Sequence, residues 1–302
     1  MIAPRLCAVI CAITFWTPAI AEVPRVVADT PVAQSLAAMV MGDLAVPDLL
    51  LDRGADPHDF QLRPSQARSL ANADLVVWTS PSLSPWMVRP LDSLVTAPVI
   101  ALEDVDGVRR QRFDMSSLLA GGNLADEIGG YDPHLWLDPR NAAPWLREIA
   151  ARLAALDPEN ADRYAANAGA AIEEIDAITA EVAATLAPVR GAGLVMYHDA
   201  FGYFVTAFGL NVLGTVTMGD AVAPGVARIS AVRAALAASD AVCLFPEVNQ
   251  PRAPVEIVAE GLPLRIGAGL DPAGTMLEPG AGLYGEILRG LARQIVACVN
   301  GS

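Results

Sequence analysis

Residues 157–186 read DPENADRYAANAGAAIEEIDAITAEVAATL. Asp157 followed by Pro158 has the chemistry of a helix start: a side-chain acceptor, then a residue whose missing N–H costs nothing in the first turn. Ala and Glu, both strong helix formers, fill the interior. Tyr164, Ala168, Ala171, Ile175, Ile178, Val182 and Leu186 recur at steps of three and four, which places them on one apolar stripe. Pro188 closes the segment. A helix over 158–186 has about 29 residues and spans ~43 Å at 1.5 Å per residue. That exceeds an ordinary element within one domain, so the segment reads as a rigid spine joining two lobes.

Both flanks alternate strand with helix. Before the spine, apolar runs at 26–28, 46–51, 75–78 and 99–102 read as strands, and 32–41, 64–71 and 146–155 as helices. After it, 194–197, 211–216, 241–245 and 264–266 read as strands. Residues 200–208, 229–238, 252–260 and 283–299 read as helices. Such alternation argues for parallel sheets with helices on both faces. The expected fold is α/β: two Rossmann-like lobes, each a mostly parallel sheet flanked by helices, joined by one long backbone helix. The expected division is 22–157 for the first lobe, 158–187 for the linking helix and 188–302 for the second lobe. Residues 104–130 are Gly-rich and irregular, and read as a long loop, mobile in part.

Residues 1–21 have the pattern of a secretory leader. Arg5 precedes a short apolar run, and Ala19-Ile20-Ala21 is a small-x-small cleavage site, so cleavage is expected after Ala21. The alternative is an uncleaved N-terminal anchor. The full chain carries a formal charge of −14; removing Arg5 leaves −15. That acidity disfavours nucleic acid or an anionic membrane as a partner. Cys7 and Cys11 leave with the leader. Cys243 and Cys298 remain, an even pair in an oxidising compartment. They are either a disulfide tying the last helix to a core strand, or two buried free thiols.

The whole chain has 3 histidines, His58, His134 and His198. Each lies in a short patch with a carboxylate: Asp56-Pro57-His58-Asp59-Phe60, Tyr131-Asp132-Pro133-His134-Leu135-Trp136 and Tyr197-His198-Asp199-Ala200-Phe201. Three neutral imidazoles and one carboxylate suit a four-coordinate Zn²⁺, whereas Mn²⁺ and Mg²⁺ prefer more oxygen and Ca²⁺ needs six to eight oxygen ligands. The plain alternative is three unrelated loop histidines. Ligands of open α/β sheets collect beyond the carboxyl ends of strands. His58 and His198 follow strands there, and so does Asp271, beyond the last strand of the second lobe. Asp59, Asp132 and Asp199 each neighbour a histidine and are candidates to orient its ring or to be solvated. Asp59 is also a candidate extra ligand. Glu247, after the strand at 241–245, is a cleft-lining carboxylate or a fifth ligand, ranked behind Asp271. Trp78, Trp86, Trp136 and Trp145 read as packing residues.

Four ordered blocks resemble the solute-binding proteins of ABC importers for zinc and manganese, the cluster A-I class. They are similar above all to the periplasmic zinc-binding proteins of the ZnuA and AztC type. The blocks are Asp56-Pro57-His58 with Pro64-Ser65-Gln66; Tyr131-Asp132-Pro133-His134-Leu135-Trp136-Leu137-Asp138-Pro139; Tyr197-His198-Asp199-Ala200-Phe201-Gly202-Tyr203-Phe204; and Leu270-Asp271-Pro272-Ala273-Gly274. The resemblance covers essentially the whole chain after the leader. It implies two lobes on a backbone helix with metal in the cleft, and ligands at His58, His134, His198 and Asp271. Manganese-type members tend to carry Glu at the third position, so His198 favours zinc. A disulfide like Cys243–Cys298 also occurs in zinc members. The implied function is high-affinity zinc capture in the periplasm and delivery to an ABC permease of the inner membrane, by a monomer and without chemistry on a substrate. Many zinc members carry a His- and acid-rich loop between the first two histidines; 104–130 lacks that composition. Some relatives with a plain loop are loaded by a periplasmic zinc metallochaperone, which the resemblance makes a candidate partner here.

The rivals are a receptor for manganese or another divalent metal, a zinc hydrolase or lyase, and an adhesin-like surface protein. A hydrolase needs an open water position on its zinc. A fourth protein ligand at Asp271 would fill it, and no short-spaced His-Glu-x-x-His motif is present.

Overall fold

A computed structural model describes residues 22–113, 130–217 and 224–301. The expected leader at 1–21 and most of the expected 104–130 loop lie outside the described residues. The first sheet is built from β1 (Val26–Ala28), β2 (Asp48–Leu49), β3 (Leu75–Trp78) and β4 (Val99–Ala101), in the order β2-β1-β3-β4, all parallel. The second is built from β5 (Gly193–Met196), β6 (Asn211–Thr215), β7 (Ala241–Leu244) and β8 (Arg265–Ile266), in the order β6-β5-β7-β8, again all parallel. Leu75, Val76, Val77, Leu194 and Val195 are wholly buried. Central parallel strands are covered on both faces, so they read as unbroken apolar runs.

Helices α1 (Pro31–Met41), α2 (Pro64–Ala71) and α3 (Val88–Leu94) belong to the first sheet. Then come α4 (Ala142–Leu156) and the spine α5 (Ala161–Leu186). Helices α6 (Gly202–Phe208), α7 (Val226–Ala237), α8 (Ala253–Ala259) and α9 (Leu283–Asn300) belong to the second sheet. All seven residues of the apolar stripe of α5 are buried. They join side chains from α1, α4, α9 and both sheets in one continuous core. Cys243 in β7 and Cys298 in α9 form a disulfide, so the free-thiol alternative is set aside.

Several boundaries differ from the sequence reading. The spine opens with a 3-10 turn, Pro158–Asn160, before α5 begins. Asp157 does not cap a backbone N–H; its Oδ2 accepts from the Tyr164 hydroxyl at 2.8 Å and the Asn160 amide at 2.7 Å. Those two donors compete for the carboxylate and win. Helix α4 starts at Ala142 and not at 146, and α7 at Val226 and not at 229. Helix α3, preceded by a 3-10 turn at Pro85–Met87, has no counterpart in the sequence reading. Pro85 and Pro90 argue against helix, yet each falls in a first turn, where the absent N–H has no intrahelical partner to lose.

Directly after β1, Asp29 is completely buried. Its Oδ2 accepts from Thr79 N at 3.1 Å and Ser84 Oγ at 2.8 Å, and its Oδ1 from Thr79 Oγ1 at 3.2 Å and Thr30 Oγ1 at 3.3 Å. Burial outweighs these bonds and pushes the carboxyl up to about 6 from 3.8. A raised acid pKa means the folded state prefers the neutral form. Its stabilising contribution is complete below pH 3.8 and is lost as pH rises through about 6. The shift corresponds to about 3 kcal/mol, at 1.36 kcal/mol per unit. The Asp29→Asn variant, which keeps the shape, is expected to melt above the parent at pH 8 and level with it near pH 4. Parallel melting curves across that range would show that the carboxylate is not penalised.

Candidate metal centre

His58 stands at the end of the loop that follows β2. Asp56 Oδ1 accepts from His58 N at 2.9 Å, a tight local turn. The indole N–H of Trp86 donates to Pro57 O at 2.8 Å and holds the loop from the first lobe. His134 precedes a buried 3-10 turn, Leu135–Leu137. Asp132 Oδ1 accepts from both His134 N at 3.0 Å and His134 Nδ1 at 2.8 Å. Trp136 Nε1 donates across the cleft to Pro272 O at 2.7 Å, and Tyr284 Oη donates to Trp136 O at 2.6 Å.

His198 is placed by strand register. Strands β5 and β7 are neighbours, with Val195 opposite Leu244. Three residues further along each strand stand His198 and Glu247. Glu247 Oε1 meets His198 Nδ1 at 2.5 Å, and both residues are buried. Nδ1–H bonds to Asp132 and Glu247 fix the tautomers of His134 and His198, leaving the Nε2 lone pairs for an ion. The pairing with β8 continues as a bridge between Glu247 and Leu270, which brings Asp271 to the same place. Asp271 Oδ1 accepts from Thr275 N at 2.9 Å, and Oδ2 from Met276 N at 2.8 Å. Burial still holds its carboxyl above the ordinary aspartate value, against those hydrogen bonds.

The three imidazoles converge. Ring centroids lie 5.4 Å apart for His58–His134, 6.3 Å for His58–His198 and 5.3 Å for His134–His198. One nitrogen from each ring falls within 4.8 Å of the others. They surround a cavity of about 20 Å³ that Asp271 and Glu247 also line. That volume suits one ion or water and is far below the ~300 Å³ of a small-molecule pocket.

Among the sequence candidates, Glu247 and Asp132 stand behind histidine rings. Asp59 is exposed, and Asp199 is half-buried; neither lines the cavity. The sequence reading treated Trp86 and Trp136 as packing alone and missed their indole bonds to the His58 and Asp271 loops. It also left Gly202 unexplained. A Cβ there would stand 2.6 Å from Gln111 Nε2 and 3.0 Å from Asp132 Oδ2, so a side chain at 202 would press on the carboxylate that holds His134.

Two parallel α/β sheets on one long helix, with a one-ion cavity between them, define a two-lobed metal-binding receptor. A family model described as zinc-uptake complex component A, periplasmic (ZnuA) matches residues 26–298, and the chain belongs to that family. The high-affinity zinc uptake system protein ZnuA of Paracoccus denitrificans is 42% identical over 311 residues, covering 93% of this chain and 94% of that one. The solved periplasmic zinc binding protein TroA of Treponema pallidum shares the fold, with a TM-score of 0.78 at 22% identity, over 91% of this chain and 99% of that chain. So does FpvC of Pseudomonas aeruginosa, solved in complex with Mn²⁺, with a TM-score of 0.79 at 22% identity, over 93% and 99%. The same architecture therefore accompanies different metals, and the donor set must choose between them.

Proposed function

We propose that this chain is the periplasmic receptor of a zinc ABC importer, holding Zn²⁺ through His58, His134, His198 and Asp271. The convergence of three imidazoles around a one-ion cavity carries this reading. Three neutral nitrogens and one carboxylate leave a zinc site at +1, and three nitrogen donors suit zinc better than manganese. Asp132 and Glu247 add negative charge behind the rings and raise their basicity. Capture exchanges the ion's waters for protein ligands, and delivery reverses the exchange at the permease. The cavity has no room for an organic substrate beside the metal, which weighs against a hydrolase. We further propose export with cleavage after Ala21, a permease partner in the inner membrane, and loading by a periplasmic zinc metallochaperone.

Titration of the metal-free chain with Zn²⁺, in competition with a chromogenic chelator and then with Mn²⁺, tests the assignment. One tightly bound zinc per chain, not displaced by equimolar manganese, is expected. A chain that takes up no zinc, or prefers manganese, would end this reading.

A further inference from the structure

The His58 loop is strapped to the second lobe at three points. Arg53 Nη2–H donates to Met276 O at 2.8 Å, while Nη1 reaches Glu278 Oε1 at 2.6 Å. Gly54 N–H donates to Thr275 O at 3.0 Å. Gln250 Nε2–H donates to Asp56 Oδ2 at 3.1 Å. The far ends of these bonds matter. Thr275 and Met276 belong to the turn that Asp271 holds through their N–H groups. Gln250 belongs to the turn that follows Glu247, with its N–H on Glu247 O at 3.3 Å. Gly54 has φ +74°, in the left-handed region, and a Cβ there would meet the Met276 sulfur at 3.3 Å, so the two loops approach closely.

The three rings are not equally covered. His134 is 2% and His198 5% exposed, each with a carboxylate on Nδ1, whereas His58 is only half-buried. The His58 side is therefore the less covered side of the three-imidazole cluster.

We propose that Arg53 is a positioning residue: by holding Met276 O it keeps the His58 loop closed against the Asp271 turn and slows the departure of zinc. This rests on the zinc reading above. The contact that matters is the charge-assisted bond to the backbone carbonyl. The Arg53 side chain is 59% exposed in both contacts, but Met276 O is a backbone acceptor on the turn that Asp271 holds, whereas Glu278 is a side chain 84% exposed, and such surface pairs contribute little. When the loop opens, the bond to Met276 O breaks and His58 swings away with residues 53–57. The two buried imidazoles keep their orientation throughout.

The test is stopped-flow release of Zn²⁺ from the loaded chain into excess chelator. Arg53→Ala is expected to release zinc about fivefold faster, the loss of one solvent-exposed hydrogen bond of ordinary net strength. Its metal-free melting temperature should stay near that of the parent, because the side chain is largely exposed. Arg53→Lys, which keeps a charged donor within reach of the carbonyl, should recover most of the slow rate. Glu278→Ala should release zinc like the parent. An unchanged rate in Arg53→Ala would overturn the proposal. So would equal acceleration in Glu278→Ala, which would assign the effect to the exposed ion pair. A parent chain that binds no zinc defeats the site reading together with the strap; normal binding with unaltered release in Arg53→Ala defeats the strap alone.

Discussion

Replacing His134 with Ala is expected to weaken zinc binding about a hundredfold. Structural zinc sites bind with roughly 10–16 kcal/mol shared among four ligands, so one ligand contributes about 3 kcal/mol, or two orders of magnitude. His134 is the strict case because it is buried and Asp132, the carboxylate behind its ring, does not line the cavity. Asp132 is held where it is by His134 N, which the substitution retains, and by its own backbone bonds to Gln111 O and Tyr203 Oη. His198→Ala differs in kind. It leaves Glu247 buried at the cavity wall without its imidazole partner. A carboxylate then faces the ion where a nitrogen stood, and oxygen donors favour manganese relative to zinc. That variant is expected to lose zinc affinity while narrowing its preference for zinc over manganese. Competition titrations with both metals measure the two effects. An undiminished zinc affinity in His134→Ala would remove that ring from the site.

The second large effect concerns stability. Removing the Cys243–Cys298 bond with the double Ala variant is expected to lower the melting temperature by about 8–15 °C. The bond closes a loop with a sequence separation of 55 residues. The chain-entropy relation gives about 4 kcal/mol for such a loop, and each kcal/mol shifts melting by roughly 2–4 °C in a chain of this size. Both cysteines are buried residues, so the double variant tests the bond more cleanly than added reductant. Zinc binding should change little. The bond fastens α9 to the middle of β7, whereas the centre lies beyond the end of that strand. Unchanged melting would mean that the cross-link adds nothing to the fold. A collapse of zinc affinity would mean that α9 positions Glu247.

Parts of this molecule were legible along the chain because their cause is local. The stripe of α5 follows from a 3.6-residue period, and all seven of its residues are buried. The alternation of apolar runs with helical segments specified parallel sheets, and both sheets are parallel. His134 and Asp132 stand two residues apart, so a tight turn suffices to pair them. Helix α3 was hidden because two prolines mask a helix when its start is unknown. Asp157 was misread as a backbone cap because the competing hydroxyl lies seven residues further on, about two helical turns away, at Tyr164.

The amino-acid order by itself therefore determined the fold class and the spine, and it named His58, His134, His198 and Asp271 as candidates to share a metal; the structure brings the three imidazoles together. Only the tertiary structure decided what stands behind His198 and what braces the loops. Glu247 reaches His198 because β7 lies beside β5 in space, although β6 intervenes in the chain. Trp86, Trp136 and Arg53 brace loops that are remote from them in sequence or belong to the other lobe. Periodicity records what each segment does with its own neighbours. Partnership between distant segments appears only when strand order and register bring their ends to one crevice.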